Sequence, residues 1–536
     1  MTEGTLGRIV SGPPDGGDRG GHIAFASLTR TERLPLTELY RRSGLVAHWL
    51  RDRHGIRPGD RIGILAANGP EWVLLDLAAL RIGAETAGFE PGKFSPDSRL
   101  ADRYGLRVLF TDRPAAGTPG AVPMAAAGAV TVPMAETETE AVTVPMTEVT
   151  AVAAQPGEGP PLPPAGWDPK SVTTVKFTSG STGEPKGLGA TAGSVDSSLR
   201  AVQQIFHHGP GDDLFVFLPL SLLQQRYWVY SALLYGHDVT VSTYEAAFAA
   251  LRRVRPTVVM GVPAFFETAK RQMENRLRRS GATDGQALRD AGRAVFGDRI
   301  RYLWTGSAPA SPGMLRFLTD AGLPIYEGYG LNETCIVTKN HPGAHREGSV
   351  GQVLPGKEVL IGPDGVVGVR SDHPVNDHYA YAAPGDSEKM FRPGGIVRTG
   401  DLGHLDEDGF LFIHGRADDV IVLDNGKKVV VRPVEEALRA DPAVAECVVF
   451  CPGQTELVAV VSPAAVPADR TAISVHLERT NARLAADERI SRAVVADEPF
   501  SIGNGLLTSQ YKPRRARILD AYRAAVHDPS EGIHAR

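Results

Sequence analysis

The chain has 536 residues, which is too long for one compact core and, at roughly 150 residues per domain, predicts three or four units. Apolar residues make up 42% and charged residues 22%, as in ordinary soluble globular proteins, and the net charge of −5 provides no basic face for nucleic acid and no polybasic membrane patch. Three cysteines, Cys335, Cys447 and Cys451, are too few for a disulfide framework and lack the paired spacing of a zinc site. With no signal peptide and no apolar run long enough to span a bilayer, we expect a cytoplasmic protein without membrane insertion.

The first third of the chain predicts alternating helices and strands. Residues 1–30 begin with a stretch rich in glycine, aspartate and proline, which indicates a mobile tail. Apolar residues at helical spacing from Leu36 predict a helix ending near Gly55, and Arg61-Ile-Gly-Ile-Leu-Ala reads as a buried strand. Asn68-Gly-Pro-Glu is expected to open a second helix through Leu80, with Pro70 near its first turn, and a strand follows at Val108 after a short helix. This order predicts a doubly wound α/β sheet.

Residues 114–166 have a different composition, rich in Ala, Val, Thr, Pro, Glu and Met. The unit Ala129-Val-Thr-Val-Pro-Met recurs at Ala141, and Ala121-Val-Pro-Met is a fragment of it. A short, degenerate repeat of this kind indicates an inserted low-complexity loop that carries no chemistry.

After the insertion the α/β alternation resumes, and past Thr399 its character changes again. There, short apolar segments are joined by Asp-Gly and Asn-Gly turns, which favour hairpins. We therefore predict an α/β protein with a large N-terminal domain of doubly wound mixed sheets over residues 31–415. A small, mobile α+β C-terminal domain is expected over residues 416–536.

The segment Lys176–Gly187 interrupts this alternation with glycines, hydroxylated residues and a lysine behind a proline. Glycines allow a ligand to approach the backbone closely, and consecutive N–H groups in such a turn bind anions. Pro185 stands where the Walker pattern requires glycine, so this is not a P-loop. The segment predicts a polyphosphate site, although a flexible linker has a similar composition. Its candidate donors are Lys186 and the hydroxyls of Thr178, Ser179, Ser181 and Thr182.

Four later motifs, together with this loop, resemble the adenylate-forming superfamily of acyl- and aryl-CoA synthetases, adenylation domains and luciferases. Their order is most similar to that of the long-chain acyl-CoA ligase branch, and the resemblance covers roughly Leu36 to Tyr522, apart from the insertion. The motifs are Thr305-Gly-Ser-Ala-Pro, Tyr326-Glu-Gly-Tyr-Gly-Leu-Asn-Glu-Thr, Arg398-Thr-Gly-Asp-Leu-Gly and Asn504-Gly-Leu-Leu-Thr-Ser-Gln-Tyr-Lys-Pro-Arg-Arg.

The resemblance implies an enzyme that uses ATP and Mg²⁺ to adenylate an acid, with CoA as the expected thiol acceptor. Glu333 would bind Mg²⁺, a hard cation that prefers carboxylate and phosphate oxygens. Lys186 would bind phosphates, and Lys512 would meet the α-phosphate and the substrate carboxylate, so the implied catalytic residues are Lys186, Glu333 and Lys512. The implied nucleotide-binding residues are Thr178, Ser179, Gly180, Ser181, Thr182, Gly183, Gly306, Ser307, Ala308, Glu327, Gly328, Tyr329, Gly330, Asn332, Asp401 and Arg416.

Within that set, Tyr329 would stack on adenine, and Asp401 and Arg416 would bind the ribose. Asn332 departs from the family, where a threonine that contacts the α-phosphate usually precedes the glutamate. Asp418 resembles the hinge residue whose torsions change when the small domain turns. That rotation would bring the Asn425-Gly-Lys-Lys segment to a thiol acceptor.

The acid substrate is less well defined by the sequence. Candidate pocket residues follow Leu218-Pro-Leu or precede it, and their polarity favours an aryl or functionalised acid over a plain long chain. The alternatives to a CoA ligase are an enzyme that loads a carrier protein in natural-product assembly, a diazotase that activates nitrite to diazotise an aryl amine, and a non-catalytic nucleotide-binding relative. The pocket candidates are His207, His208, Gln224, Gln225, Arg226 and Trp228.

Overall fold

The computed structural model describes residues 5–11, 20–94, 98–112, 142–163, 165–178, 185–281, 284–508 and 511–535. Within these ranges the helices are α1 (Thr5–Ser11), α2 (Leu36–Arg53), α3 (Pro70–Ile82), α4 (Ser98–Tyr104), α5 (Met146–Ala153), α6 (Ala192–Phe206), α7 (Leu223–Tyr235), α8 (Ala247–Val254), α9 (Pro263–Ser280), α10 (Gly285–Phe296), α11 (Pro312–Asp320), α12 (Asp386–Met390), α13 (Val431–Arg439), α14 (Arg470–Asn481) and α15 (Arg515–His527).

The strands of the N-terminal two thirds are β1 (His22–Ala26), β2 (Thr31–Pro35), β3 (Arg61–Leu65), β4 (Glu85–Phe89), β5 (Val108–Thr111), β6 (Val142–Pro145), β7 (Val172–Thr178), β8 (Lys186–Thr191), β9 (Asp213–Val216), β10 (Asp238–Ser242), β11 (Val258–Gly261), β12 (Tyr302–Thr305), β13 (Ile325–Leu331), β14 (Cys335–Lys339) and β15 (Gln352–Val353). The remaining strands are β16 (Lys357–Ile361), β17 (Val366–Ser371), β18 (Phe391–Arg392), β19 (Ile396–Leu405), β20 (Leu411–Arg416), β21 (Val420–Val422), β22 (Lys428–Val430), β23 (Val444–Phe450), β24 (Leu457–Pro463), β25 (Ile490–Val495) and β26 (Ile533–His534).

Two large mixed sheets form the N-terminal part, as the alternating pattern predicts. One sheet has the order β15-β14-β13-β12-β11-β9-β10-β1-β2, and the other has the order β6-β5-β3-β4-β7-β8. In the first sheet the neighbours β13-β12-β11-β9-β10-β1 are parallel, and in the second sheet the neighbours β6-β5-β3-β4-β7 are parallel. Antiparallel strands β14, β15 and β2 flank the first sheet, and β8 flanks the second. Parallel strands place their carboxyl ends at one edge of a sheet, where binding residues commonly collect.

A continuous apolar core joins the two sheets through the helices between them. The cores of α2, α3, α6 and α7 belong to one buried cluster. Helix α7 is almost entirely buried, because it lies between the layers and carries apolar or aromatic residues around most of its circumference. Within the described residues, no helix is long and apolar enough to cross a membrane.

Smaller sheets complete the chain. The order β16-β17-β19-β18, with β20 on β19, forms an antiparallel sheet that ends at Arg416, where the predicted domain boundary falls. Beyond it, β21 and β22 form a hairpin, and β23-β24-β25-β26 form a four-stranded sheet with its own buried cores. The α/β architecture with a smaller α+β C-terminal part is therefore confirmed.

The expectation of a mobile tail over residues 1–30 is wrong for two segments. Leu6, Ile9 and Val10 are buried on α1, and the Leu6 backbone N–H donates to Asp196 at 2.8 Å. Strand β1 pairs with β10 and β2 inside the larger sheet. The prediction was based on the polar composition of this segment. The apolar residues at i, i+3 and i+4 nevertheless form a buried helical face.

The predicted low-complexity loop at 114–166 is also partly structured. Its second repeat copy forms β6, which adds in parallel to β5, and then α5, which buries Met146 and Val149. The sequence Val-Thr-Val is a good strand former, so this copy extends the sheet. The first copy, Ala129–Met134, lies outside the described residues.

A buried ion pair connects the two halves of the N-terminal part. Arg226 of α7 donates to Asp76 Oδ1 of α3 at 2.8 Å and to Thr174 Oγ1 of β7 at 3.0 Å. Both charged side chains are almost fully buried, and the Tyr230 hydroxyl also donates to the Asp76 carboxylate. The interpretation of Arg226 as a pocket residue is therefore wrong, because its guanidinium is occupied by this network.

Replacing Arg226 with methionine is expected to lower the free energy of unfolding by about 3–5 kcal/mol, because Asp76 would remain buried without its counter-charge. Urea unfolding measures the loss. The control is Arg293→Met, which removes an exposed pair with Asp290 and should cost about 1 kcal/mol or less. Equal losses in the two variants would contradict the structural role of the buried pair.

Candidate active site

The predicted phosphate loop connects the antiparallel strands β7 and β8. Thr178 at the end of β7 pairs with Lys186 at the start of β8. The residues between them, including the predicted Ser179, Gly180, Ser181, Thr182 and Gly183, lie outside the described part of the chain. The structure therefore positions the two ends of the loop, and the roles of its central residues stay predictions.

Tyr379, which the sequence analysis did not identify, contacts both Lys186 and Glu333. Lys186 Nζ lies 3.1 Å from Asp386 Oδ2 and 5.3 Å from the centre of the Tyr379 ring. The Tyr379 hydroxyl donates to Glu333 Oε1 at 2.6 Å. Burial, reinforced by the Glu333 charge, raises the pKa of Tyr379 above its ordinary value, so this phenol remains a donor.

Tyr379 and Asp386 are functional candidates that sequence reasoning missed. Neither residue lies in any of the motifs that carry the family resemblance. Both side chains are buried, and Asp386 Oδ2 has no hydrogen-bond donor among the described residues besides its ion pair with Lys186. A buried carboxylate paired with Lys186 is a signal that only the folded structure supplies.

The motif Tyr326–Thr334 forms β13 and the turn into β14. Glu333 is buried in that turn, whereas Asn332 is partly exposed beside it. A Cβ atom at Gly330 would lie 1.9 Å from the Cys335 carbonyl oxygen, and one at Gly306 would lie 2.9 Å from the Gly328 carbonyl oxygen. These contacts explain the glycines, since any side chain would force the two strands apart.

A second group of predicted residues, Tyr329, Asp401 and Arg416, lies together in the structure. The Tyr329 hydroxyl donates to Asp401 Oδ2 at 2.6 Å, and Arg416 Nη1 donates to Asp401 Oδ1 at 3.1 Å. Burial and the neighbouring Asp401 raise the pKa of Tyr329. Asp418 lies in a short 3₁₀ turn after β20, 3.7 Å from Arg416, so the predicted hinge residue occupies the link between the two parts of the chain.

The C-terminal loop brings Lys512 towards this second group. The loop is closed by Thr508 N–H donating to the Lys512 carbonyl at 2.8 Å, and the Tyr511 ring stacks on Tyr244 of the N-terminal part with centroids 5.2 Å apart. The Lys512 side chain keeps solvent-exposed surface, yet its pKa is lowered by desolvation and further by Arg416, while Asp401 opposes the shift. Lys512 thus lies within electrostatic reach of Asp401 and Arg416.

The predicted pocket residues on α7 are brought together only in part. Gln225 and Trp228 are buried, and Gln225 Oε1 has no hydrogen-bond donor in the described chain. His207, by contrast, is exposed in a left-handed conformation at the C-terminus of α6, so its proposed pocket role is not supported. The buried neighbour is His208, whose Nε2 lies 2.5 Å from the Tyr302 hydroxyl.

Burial determines the charge of His208. Desolvation lowers its pKa to about 3, and its ring lies edge-on to Trp228 at 5.9 Å. A neutral imidazole fits this aromatic environment better than a cation. His208 and Trp228 therefore form part of the wall between α7 and β12, with Gln224 half-buried one turn before Trp228.

Known structures share this fold. The chain superimposes on o-succinylbenzoate CoA synthetase (MenE) from Bacillus subtilis, in complex with the acyl-adenylate intermediate OSB-AMP, with a TM-score of 0.73, 21% identity and coverage of 99% of both chains. It also superimposes on ATP-bound MatB from Rhodopseudomonas palustris with a TM-score of 0.76, 20% identity and coverage of 98% of this chain and 100% of that chain. The fold is that of the adenylate-forming enzymes.

Sequence comparisons identify the family. The model of the AMP-binding enzyme family matches residues 17–368, and that of the AMP-binding enzyme C-terminal domain matches residues 418–528. The long-chain-fatty-acid–CoA ligase FadD15 of Mycobacterium tuberculosis is 30% identical, covering 74% of this chain and 71% of the relative. Long-chain-fatty-acid–CoA ligase 1 of Homo sapiens is 25% identical, covering 88% and 78%. The chain belongs to the AMP-binding enzyme family and is an enzyme of the acyl-CoA ligase type.

Proposed function

We propose that this enzyme uses ATP and Mg²⁺ to adenylate a carboxylic acid and then transfers the acyl group to the thiol of CoA. The observation that carries the proposal is the convergence of Lys186 and Glu333 through Tyr379, together with that of Tyr329, Asp401 and Lys512. The first group provides a cation and a carboxylate for the triphosphate. The second provides an aromatic ring for adenine, a carboxylate that accepts from the ribose hydroxyls, and a second cation.

The residues present fit a magnesium ion. Glu333 is a buried carboxylate with one oxygen that accepts from Tyr379, which leaves the other oxygen available. Among the described residues, no three His, Cys, Asp or Glu side chains cluster as a complete metal cage. Magnesium is typically held by one or two carboxylates and by substrate phosphates, so a single well-placed glutamate suits it. When bound, the ion would neutralise phosphate charge.

The chemistry follows from positioning and charge. A substrate carboxylate oxygen attacks the α-phosphorus of ATP, the bond to pyrophosphate breaks, and an acyl-AMP anhydride forms. Lys186 would neutralise the departing pyrophosphate, and Lys512 would orient the attacking carboxylate against the α-phosphate. The thiol of CoA then attacks the acyl carbon and releases AMP. No side-chain nucleophile is required.

Pyrophosphate release tests the proposal. The protein is incubated with ATP, Mg²⁺ and a panel of aryl, functionalised and aliphatic acids, and active acids are then followed to acyl-CoA by mass spectrometry after CoA is added. We expect acid-dependent release and a CoA thioester. If no carboxylic acid releases pyrophosphate but nitrite with an aryl amine does, the ligase assignment fails. If a thioester forms only on an added carrier protein, the acceptor is that carrier protein and not CoA.

A further inference from the structure

Lys339, the last residue of β14, has a fully buried side chain whose ammonium has few partners. Its Nζ donates to the Tyr326 carbonyl oxygen at 2.7 Å and lies 3.8 Å from the centre of the Trp304 ring. A lysine ammonium carries three donors. In the described part of the chain, this carbonyl is the hydrogen-bond acceptor recorded for Lys339, and no carboxylate oxygen lies within 4 Å of Nζ.

The ammonium lies beside the residues assigned to the nucleotide and the acid. A Cβ atom at Gly328 would lie 2.8 Å from Lys339 Cδ and 3.4 Å from Nζ. Trp304 directly precedes the Thr305-Gly-Ser motif, and its ring is 5.3 Å from that of Trp228 on α7. Lys339 therefore lies between β12 and β13, and Trp304 separates it from the predicted pocket residue Trp228 on α7.

Keeping a lysine at this position is costly. Burial lowers the pKa of Lys339 well below its ordinary value, although Glu327 opposes the shift. Burial also raises the pKa of Glu327 to about 7. An apolar side chain would pack here without this penalty. A ligand carboxylate would accept from the remaining N–H donors and favour the charged form of the lysine.

We infer that the acid activated by this enzyme is a small dicarboxylic acid whose second carboxylate binds Lys339. This inference rests on the proposed function, since the first carboxylate is the one that attacks ATP. The second carboxylate does not react, so the balance of the adenylation step is unchanged. The bulky rings of Trp228 and Trp304 occupy the space between α7 and β12, which favours an aromatic or short aliphatic spacer between the two carboxylates.

Matched acid pairs test the inference. The wild type and Lys339→Met are assayed for pyrophosphate release with malonic to adipic acid and with benzenedicarboxylic acids, each beside the monoacid that has a methyl group in place of the second carboxyl. In the wild type we expect at least one diacid to exceed its monoacid in kcat/KM by about 10–100-fold, the range for a hydrogen bond between charged groups. Lys339→Met should raise KM for that diacid and bring the ratio to about 1.

A half-buried lysine with protein partners provides the control. Lys357 Nζ donates to the Thr334 carbonyl and to Ser371 Oγ at 3.0 and 2.9 Å, so its donors have protein partners. Lys357→Met should leave the diacid-to-monoacid ratio unchanged, whatever it does to stability. Lys339→Gln, which keeps one donor group, provides a second variant if the methionine variant fails to fold, and it should lower the ratio.

The outcomes separate the two proposals. If monoacids are activated as well as their diacids throughout the series, or if the Lys339 variants change both members of a pair equally, the inference is overturned while the ligase function stands. If neither diacids nor monoacids release pyrophosphate with the wild type, the proposed function fails and the inference fails with it.

Discussion

Replacing Lys512 with alanine is expected to lower acid-dependent pyrophosphate release by about 10²–10³-fold, the usual cost of removing one preorganised group that stabilises developing charge. The reason is its position: the C-terminal loop holds this lysine within electrostatic reach of Asp401 and Arg416, at the proposed nucleoside end of the site. The alanine variant retains the loop backbone, including the hydrogen bond from Thr508 N–H to the carbonyl of residue 512. Single-turnover formation of acyl-AMP, measured with excess enzyme, isolates this step.

The second half-reaction provides an internal control for Lys512. If the small domain turns at Asp418 before the thiol attacks, Lys512 leaves the site, and the alanine variant should still form thioester from a supplied acyl-adenylate. Arg514→Ala removes an exposed positive charge two residues further along the same loop and should leave adenylation near the wild-type rate. Unchanged adenylation in Lys512→Ala would mean that another cation has this role.

The sequence predicts the fold well where periodicity and order carry the information. The position of Pro70 in the first turn of α3 and the alternation of strands and helices follow from local patterns, and both sheets are mixed as expected. It fails where a short apolar pattern is embedded in polar or repetitive sequence, as in α1 and in β6 with α5. Those elements are stable because α6 and α7 pack against α1, β5 pairs with β6, and α2 and α3 pack against α5. Local composition does not record such partners.

The candidate site shows the same division. Backbone motifs reveal Lys186, Glu333, Tyr329 and Asp401, because their neighbours must be glycine or small. The partners of Lys186 and Glu333 are absent from such motifs. Tyr379 lies on a loop and Asp386 begins a short helix, so their relevance follows from their burial and from their contacts with Glu333 and Lys186. His207 and Arg226 fail for the opposite reason, since sequence proximity to a pocket does not determine which way a side chain points.

Glu333→Gln is expected to lower kcat/KM for adenylation by about 10²-fold or more and to raise the Mg²⁺ concentration needed for half-maximal rate. The substitution preserves size, and its amide oxygen can still accept from the Tyr379 hydroxyl, so the surrounding packing remains. What it removes is the negative charge, which a hard divalent cation prefers in a ligand. A Mg²⁺ titration of pyrophosphate release at fixed ATP measures both effects.

Two further variants make the Glu333 result specific. Tyr379→Phe keeps the carboxylate and deletes the hydroxyl that orients it, so the loss should be smaller, about 10-fold, as for groups that position a metal ligand. Glu347→Gln removes an exposed glutamate paired with Arg316 and should leave the Mg²⁺ dependence unchanged. If Glu333→Gln keeps the wild-type Mg²⁺ dependence, the ion is held elsewhere, and Asp386, a buried carboxylate paired with Lys186, becomes the residue to replace.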